Sequence, residues 1–235
     1  MSLVAAALIS LGCIGQQGEQ VGPLQSENSS LPLGEARSVN AQIEMGVGKL
    51  NLGGGAENLM DANFLYNLAS WKPEVSYAVN DGVGNLKVSQ PTSVNVRSFS
   101  EDVRYEWNIL LNNDVPINLR TILGAGDGNL RLGGMLLTGL HAQSGAGNVT
   151  IDLSGVWRRD LNASIEAGIG NLVLIVPQYT GTMINVSQGL GTVEIGTGIK
   201  RQNDSYINDA YGQTATSLRV NIKSGIGDIR LMQSP

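Results

Sequence analysis

One short phrase recurs seven times in this chain: a Gly-x-Gly triplet, then a small or polar residue and an alternating apolar run. The triplets begin at Gly46, Gly82, Gly124, Gly145, Gly168, Gly189 and Gly225. The closest triplets are separated by 21, 23 and 21 residues. Repetition at a nearly fixed period is typical of stacked architectures, in which each unit buries its neighbour's apolar face. The repeat therefore argues against most globular enzyme folds.

The residues that precede each triplet alternate between apolar and polar side chains. Before Gly46, for example, Val39, Ala41 and Ile43 alternate with polar residues. Alternation with a period of two indicates strands with one buried and one solvated face. Each unit is thus predicted to be a strand, a Gly-x-Gly corner and a second strand. The sequence predicts an all-β fold, a β-solenoid of stacked rungs of about 21 residues with Gly-x-Gly corners, or a flattened β-sandwich built by coiling.

Glycine suits such a corner because it allows a positive φ and a very close approach of backbone. Asn or Asp often follows the second glycine, and both residues tolerate left-handed backbone geometry. We therefore expect Gly168→Val and Gly189→Val to destabilise the protein.

The composition excludes several classes of function. The formal net charge of the 235-residue chain is −5, which disfavours binding to nucleic-acid phosphates. One His and one Cys leave no basis for a zinc site or a disulfide framework. No triplet continues into a nucleotide-binding loop. We therefore expect no cofactor, no metal and no catalytic residues.

The first 13 residues are predicted to be a signal peptide with a lipobox-like end. Residues 3–12 are uncharged and mostly apolar, too short to span a bilayer but of the length of a signal-peptide core. Cys13 follows directly and is the candidate lipidation site; the alternatives are an ordinary secretory signal or a buried N-terminal segment. Residues 14–38 are mostly polar and contain several glycines, and this composition predicts a flexible tether. This layout predicts an extracytoplasmic, membrane-anchored lipoprotein at the cell surface.

Five Asn-x-Ser/Thr sequons are candidate glycosylation sites in positions predicted to be exposed. They are Asn28, Asn148, Asn162, Asn185 and Asn203.

Residues 196–216 interrupt the repeat with a polar insertion that carries two tyrosines. Insertions in repeat proteins often gather on one face and bind partners. The candidate binding residues are Arg201, Asp204, Tyr206 and Tyr211. A second interruption, residues 56–77, is rich in aromatic residues and is expected to form a capping core rather than a binding surface.

Three stretches resemble the toast-rack family, which is similar to the C-terminal domain of LiaF-type proteins that respond to cell-wall-active antibiotics. The stretches are residues 107–119, Phe64-Leu65-Tyr66-Asn67 and Pro73-Glu74-Val75-Ser76-Tyr77. The resemblance covers residues 39–235 and implies an N-terminal toast-rack subdomain over 39–100 and a β-solenoid over 101–235. It implies no catalytic residues and transfers no site residues.

LiaF-type members carry transmembrane helices and restrain an envelope-stress sensor kinase, whereas this chain shows only a lipid-anchor candidate. The leading hypothesis is a non-enzymatic protein that binds an envelope protein or glycan and is held to the membrane by its lipid anchor. The alternatives are a regulator of an envelope-stress sensor kinase and a carbohydrate-active β-helix enzyme. Copies of the chain could also associate through terminal strands.

Overall fold

The computed structural model describes residues 21–91 and 102–234. It confirms the all-β class, with 17 strands and one short 3-10 turn at Ala69–Trp71 in these residues. The strands are β1 (Gln25–Leu31), β2 (Ser38–Gly54), β3 (Met60–Tyr66), β4 (Glu74–Asn80), β5 (Val83–Ser89), β6 (Tyr105–Leu111), β7 (Ile117–Arg131), β8 (Leu137–Ala146), β9 (Val149–Asp152), β10 (Leu161–Ile169), β11 (Leu172–Val176), β12 (Gly181–Leu190), β13 (Val193–Ile195), β14 (Ile199–Gln202), β15 (Ser205–Asn208), β16 (Ser217–Ile226) and β17 (Ile229–Gln233). Cys13 lies outside the described residues.

Two flanks of strands meet along a line of Gly-x-Gly corners. The first flank, before the corners, runs in the order β4, β5, first half of β2, first half of β7, β8, β10, β16, β12, β15, β14. The second flank, after the corners, runs in the order β1, β3, β6, second half of β2, second half of β7, β9, β11, β17, β13. The inward side chains of both flanks form one apolar core.

The corners do not all stack in chain order. The residue between the two glycines pairs from corner to corner in the order Val47, Ala125, Ala146, Ile169, Ile226, Leu190. The C-terminal segment, β16 and β17, thus lies between β10–β11 and β12–β13. The first four corners thus follow one another in chain order, as expected of a β-solenoid, and only the last two, at Leu190 and Ile226, are exchanged. The outer edge of β12 is occupied by the β14–β15 hairpin, so β16 pairs with the inner edge.

The triplet that begins at Gly82 is not a corner, contrary to the expectation that all seven are equivalent. Asp81 and Gly82 have φ angles of 52° and 78° and form the tight turn between the antiparallel strands β4 and β5. Asp-Gly favours this two-residue hairpin turn because both central positions need a positive φ. β5 then pairs with residues 38–44 of β2, before the corner of that strand.

Two of the expected boundaries differ from the structure. Residues 25–31 of the expected tether form the edge strand β1, which pairs with β3 over its whole length. The polar side chains of this segment suit an edge strand, whose faces are solvated. The expected division near residue 100 is not a break in the core. β2 pairs with both β5 and β7, and β6 pairs with β2 and β3, so strands from both sides of that position share the same sheets.

The aromatic segment before residue 77 belongs to the core, as expected. Phe64 and Trp107 are buried, and their rings meet edge to face with centroids 5.6 Å apart. Trp71 packs in the same way against Tyr105, with centroids 5.0 Å apart. Edge-to-face pairs add to the stabilisation that burial gives. Because side chains alternate along a strand, β3 and β6 then turn their polar residues outward.

Candidate functional site: an asparagine-lined groove

A hollow of about 810 Å³ lies on the outer face of the second flank. Five asparagines from five adjacent strands line it. They are paired across the strands in the order Asn28, Asn63, Asn108, Asn51, Asn129. We call this surface the asparagine groove. Neighbouring strands lie about 4.8 Å apart, so the row presents amides at a regular spacing.

Hydrogen bonds hold the amides of the row in place. Asn63 Nδ2 donates to Asn28 Oδ1 at 2.8 Å, and Asn51 Nδ2 donates to Asn108 Oδ1 at 2.8 Å. A primary amide can donate two hydrogen bonds and accept two. Asn63 and Asn51 use their second N–H as well, donating to Ser26 Oγ and to Glu106 Oε1, each at 3.0 Å. The side-chain oxygens of Asn63 and Asn51 and the N–H groups of Asn28 and Asn108 are then the groups offered to a ligand, in positions that the neighbouring amides have already fixed.

Alternation along the strands creates the row. In β3 and β6, Asn63 and Asn108 each lie next to a buried aromatic residue, Phe64 or Trp107. In the second half of β2, Asn51 lies between the buried Leu50 and Leu52. The apolar residues fix which face of each strand is buried, because a slip of one residue would expose all of them. The asparagines are thereby fixed on the outer face.

Charged groups lie around the groove in both signs. Asp61 accepts a hydrogen bond from Ser30 Oγ at 2.6 Å, and this bond is the main cause that lowers the pKa of the Asp61 carboxyl. Lys49 and Glu106 form an ion pair at 3.8 Å. Arg131 also lines the groove. Such a surface offers hydrogen bonds to an uncharged polar ligand.

Within residues 21–91 and 102–234, no three His, Cys, Asp or Glu side chains are grouped so that they could hold a metal ion.

Comparison with known families shows to which family the chain belongs. A family model described as the N-terminal domain of toast_rack, DUF2154, matches residues 20–175. The chain belongs to the toast-rack family.

Two crystal structures are similar to this toast-rack protein. A putative cell adhesion protein from Clostridium sporogenes ATCC 15579 is 32% identical, with a TM-score of 0.86, over 90% of this chain and 100% of the other. A putative adhesin from Bacteroides fragilis NCTC 9343 is 14% identical, with a TM-score of 0.35, over 89% and 97% of the two chains. No curated protein matches the chain. None of the helices in the described residues is long and apolar enough to cross a membrane.

The five sequons of this toast-rack protein are scattered. Asn28 ends the asparagine row, and Asn148 accepts a hydrogen bond from the Asn171 N–H at a corner, at 3.3 Å. Asn162 is exposed on β10, and Asn203 is exposed at the β14–β15 turn with φ 54°. Asn185 is half-buried, donating to Asn221 and accepting from Ser205. Their glycosylation stays a prediction.

The predicted binding residues of the insertion lie at the other end of the stack from the asparagine groove. Arg201 and Asp204 are exposed near the turn of the β14–β15 hairpin, and Arg201 Nε donates to the carbonyl oxygen of Asn203 at 3.1 Å. Tyr206 is half-buried against the core, and the Tyr211 hydroxyl donates to the sulfur of Met183 at 3.3 Å. The hairpin pairs with the edge of β12, and a binding role for it stays a prediction.

Sequence reasoning missed the asparagine groove. Asparagine is uncommon within strands, so its presence at outward positions of several predicted strands was a usable signal. The sequence could not show that these positions are in register. Asn28, Asn63 and Asn108 come together through two antiparallel pairings between distant segments.

Proposed function

We propose that this toast-rack protein is a non-enzymatic adhesion protein that acts outside the cytoplasm and binds an envelope protein or glycan. The observation that carries the proposal is its 32% identity to the putative cell adhesion protein from Clostridium sporogenes, which it matches over that chain's whole length. Identity at this level across a complete fold supports a shared type of function. A fold by itself would not.

The asparagine groove is the surface that we assign to binding. It is concave and large enough for an extended ligand, and its amides are fixed by neighbouring amides. Fixed groups lose little conformational freedom on binding, which favours affinity. Its donors and acceptors suit the hydroxyl and amide groups of a glycan or the main chain of a peptide.

Attachment to the membrane through Cys13 is part of the proposal. Lipidation would add about 0.8 kcal/mol of membrane affinity per buried CH₂ group. In cell fractionation, we expect the native protein to remain with membranes and a Cys13→Ser variant to be released. Equal release of both proteins would refute the lipid anchor and would leave the proposal for the asparagine groove unaffected.

Adhesion is tested by coating a surface with the full-length protein and counting retained cells of the organism that produces it. The test variant combines Asn63→Thr and Asn108→Thr, which keep strand-compatible side chains but remove amides from the groove. A matched control exists on the first flank, where Asn85, Asn40 and Asn118 form a shorter asparagine row. The control variant combines Asn40→Thr and Asn118→Thr.

We expect the groove variant to lose most of the retained cells and the control variant to retain as many as the native protein. Melting temperatures within 2–4 °C of each other, the shift that about 1 kcal/mol causes in a domain of this size, would show that both variants are folded. Retention that is unchanged in the groove variant would contradict the assignment of the groove. Absence of retention by the native protein would contradict the adhesion function.

A further inference from the structure

A second hollow lies at the edge of the molecule opposite the glycine corners. It has a volume of about 410 Å³ and is formed where three loops meet, residues 155–157, 178–180 and 214–216, together with Ser234. These loops follow β9 and β11 and precede β16. The volume is within the range of sites that hold small ligands.

The apolar part of this hollow is unusually exposed. Tyr179 and Val156 both line it, and each is 81% exposed. Trp157 beside them is buried, and its Nε1–H donates to the carbonyl oxygen of Leu153 at 2.8 Å, which fixes its loop. Large apolar side chains grouped on a surface commonly mark a binding site. Tyrosine is well suited to such a site because its ring is apolar and its hydroxyl can remain solvated.

The polar part of the hollow consists of hydroxyl and amide groups. Gln178, Thr180, Thr214, Thr216 and Ser234 line it. Thr214 Oγ1 accepts from the Gly181 N–H at 2.9 Å and donates to the Thr216 carbonyl oxygen at 2.7 Å, which ties two of the loops together. The bond between Gly181 and Thr214 thus joins two of the segments that border the hollow.

No charged residue is among the described residues that line the hollow, so a charged ligand would find no partner there. An apolar platform surrounded by hydroxyl and amide groups fits a ligand that has both an apolar face and many hydroxyls. A pyranose ring has this character, because its axial C–H bonds form an apolar face and its hydroxyls point outward around the ring.

We infer that this hollow, which we call the Tyr179 site, binds a neutral sugar ring. The C–H face of the ring packs on Tyr179 and Val156, and its hydroxyls form hydrogen bonds with Gln178 and the threonines. The inference rests on the proposed adhesion function in naming a glycan as ligand, but it uses a different surface from the asparagine groove.

The test measures binding of neutral sugars to the full-length protein by saturation-transfer NMR and titration calorimetry. The probes are glucose, galactose, N-acetylglucosamine and their β-linked dimers. We expect saturation of the ring C–H protons of at least one probe. In Tyr179→Ala the affinity falls about tenfold, the loss of one aromatic contact, whereas Tyr179→Phe keeps the ring and most of the affinity.

The control is Leu190→Ala, which removes an exposed apolar residue (67% exposed) at a glycine corner on the opposite edge. It should bind like the native protein. Absence of saturation with every probe would overturn the inference, and so would unchanged affinity in Tyr179→Ala. If cells are still retained through the asparagine groove in either case, the proposed adhesion function stands and the Tyr179 site alone falls.

Discussion

At the corners from Gly124 onward, both glycines are needed, for two different reasons. A Cβ atom built on Gly168 would overlap the carbonyl oxygen of Gly145 in the adjacent corner, although the φ of Gly168 is not in the left-handed region. Gly170 has a φ of 131°, which side chains rarely allow. The sequence pattern predicts a positive φ at Gly168, whereas the structure places the positive φ at the second glycine and a close backbone contact at the first. The destabilisation by replacing Gly168 stays a prediction.

We predict that Gly168→Ala lowers the free energy of unfolding by about 1–3 kcal/mol, because one methyl group must displace the backbone of a neighbouring strand. Gly128→Ala is the matched control. It lies in β7, where an added Cβ meets side-chain carbons of Leu123 and Val149 at an ordinary 3.4 Å. Urea denaturation of both variants measures the difference. Equal stability of the two would contradict the close contact between corners.

Hydrogen bonds between neighbouring corners predict a dependence of stability on pH. Asp228 accepts bonds from the hydroxyl and the N–H of Thr192, at 2.8 and 2.9 Å, and these bonds lower the pKa of the Asp228 carboxyl. A carboxyl with a lowered folded-state pKa stabilises the protein above its unfolded-state pKa. This contribution is lost as the pH falls through the folded-state value.

We therefore expect the melting temperature of the native protein to fall more between pH 5 and pH 3 than that of Asp228→Asn. Asparagine keeps an acceptor oxygen for the Thr192 N–H, as Asn171 does for the N–H of Asp228 itself. Other carboxyls with lowered pKa values, including Asp61, titrate in both proteins, so the comparison isolates Asp228. The same fall in both proteins would show that these bonds do not contribute to stability.

At the scale of the elements, the order in which strands stack is the feature that the sequence does not reveal. The alternation around each triplet predicts the strands on both sides of the corner, and the structure has them. It does not say which strand lies beside which, because every corner is compatible with every other. The polar insertion gives no sign that its hairpin covers the edge of β12 and sends β16 to the inner side.

Pairs of cysteines test this order. In a Cys13→Ser background, Ile169→Cys with Ile226→Cys should form a disulfide, and so should Leu190→Cys with Ile226→Cys, since each pair lies on adjacent strands. Adjacent strands are about 4.8 Å apart, and this distance lies within the range of about 4.4–6.8 Å between Cα atoms that a disulfide joins. Ile169→Cys with Leu190→Cys should not form one. Non-reducing gels and peptide mapping identify the disulfides that form. A disulfide in the third pair but not in the first would indicate stacking in chain order.

The candidate sites could be predicted less well than the strands. Asn63 and Asn108 are recognisable as outward residues beside buried aromatics, but their antiparallel register depends on segments more than 40 residues apart. Tyr179 follows a strand in a short loop and carries no motif. Loops that are brought together by stacking are neighbours in space only, and local sequence patterns do not report such contacts.

At the scale of the whole molecule, a single apolar core supports polar outer faces. The core contains residues from Ala36 to Leu231, so strands from all parts of the chain contribute to one folded unit. The glycine corners keep the stack compact, and the buried aromatics of β3 and β6 fix the register of the asparagine row. Binding surfaces of this kind are built on the scaffold itself, which agrees with the proposed adhesion.

The asparagine groove is proposed to bind a component of the cell envelope, and this binding can be tested directly. A photoreactive amino acid placed at Asn63, and at Asn118 on the first flank as the control, tests it in intact cells that produce the full-length protein. Irradiation followed by mass spectrometry should find an envelope protein or glycan joined at position 63 and not at position 118. Equal products at both positions, or none at position 63, would contradict the claim.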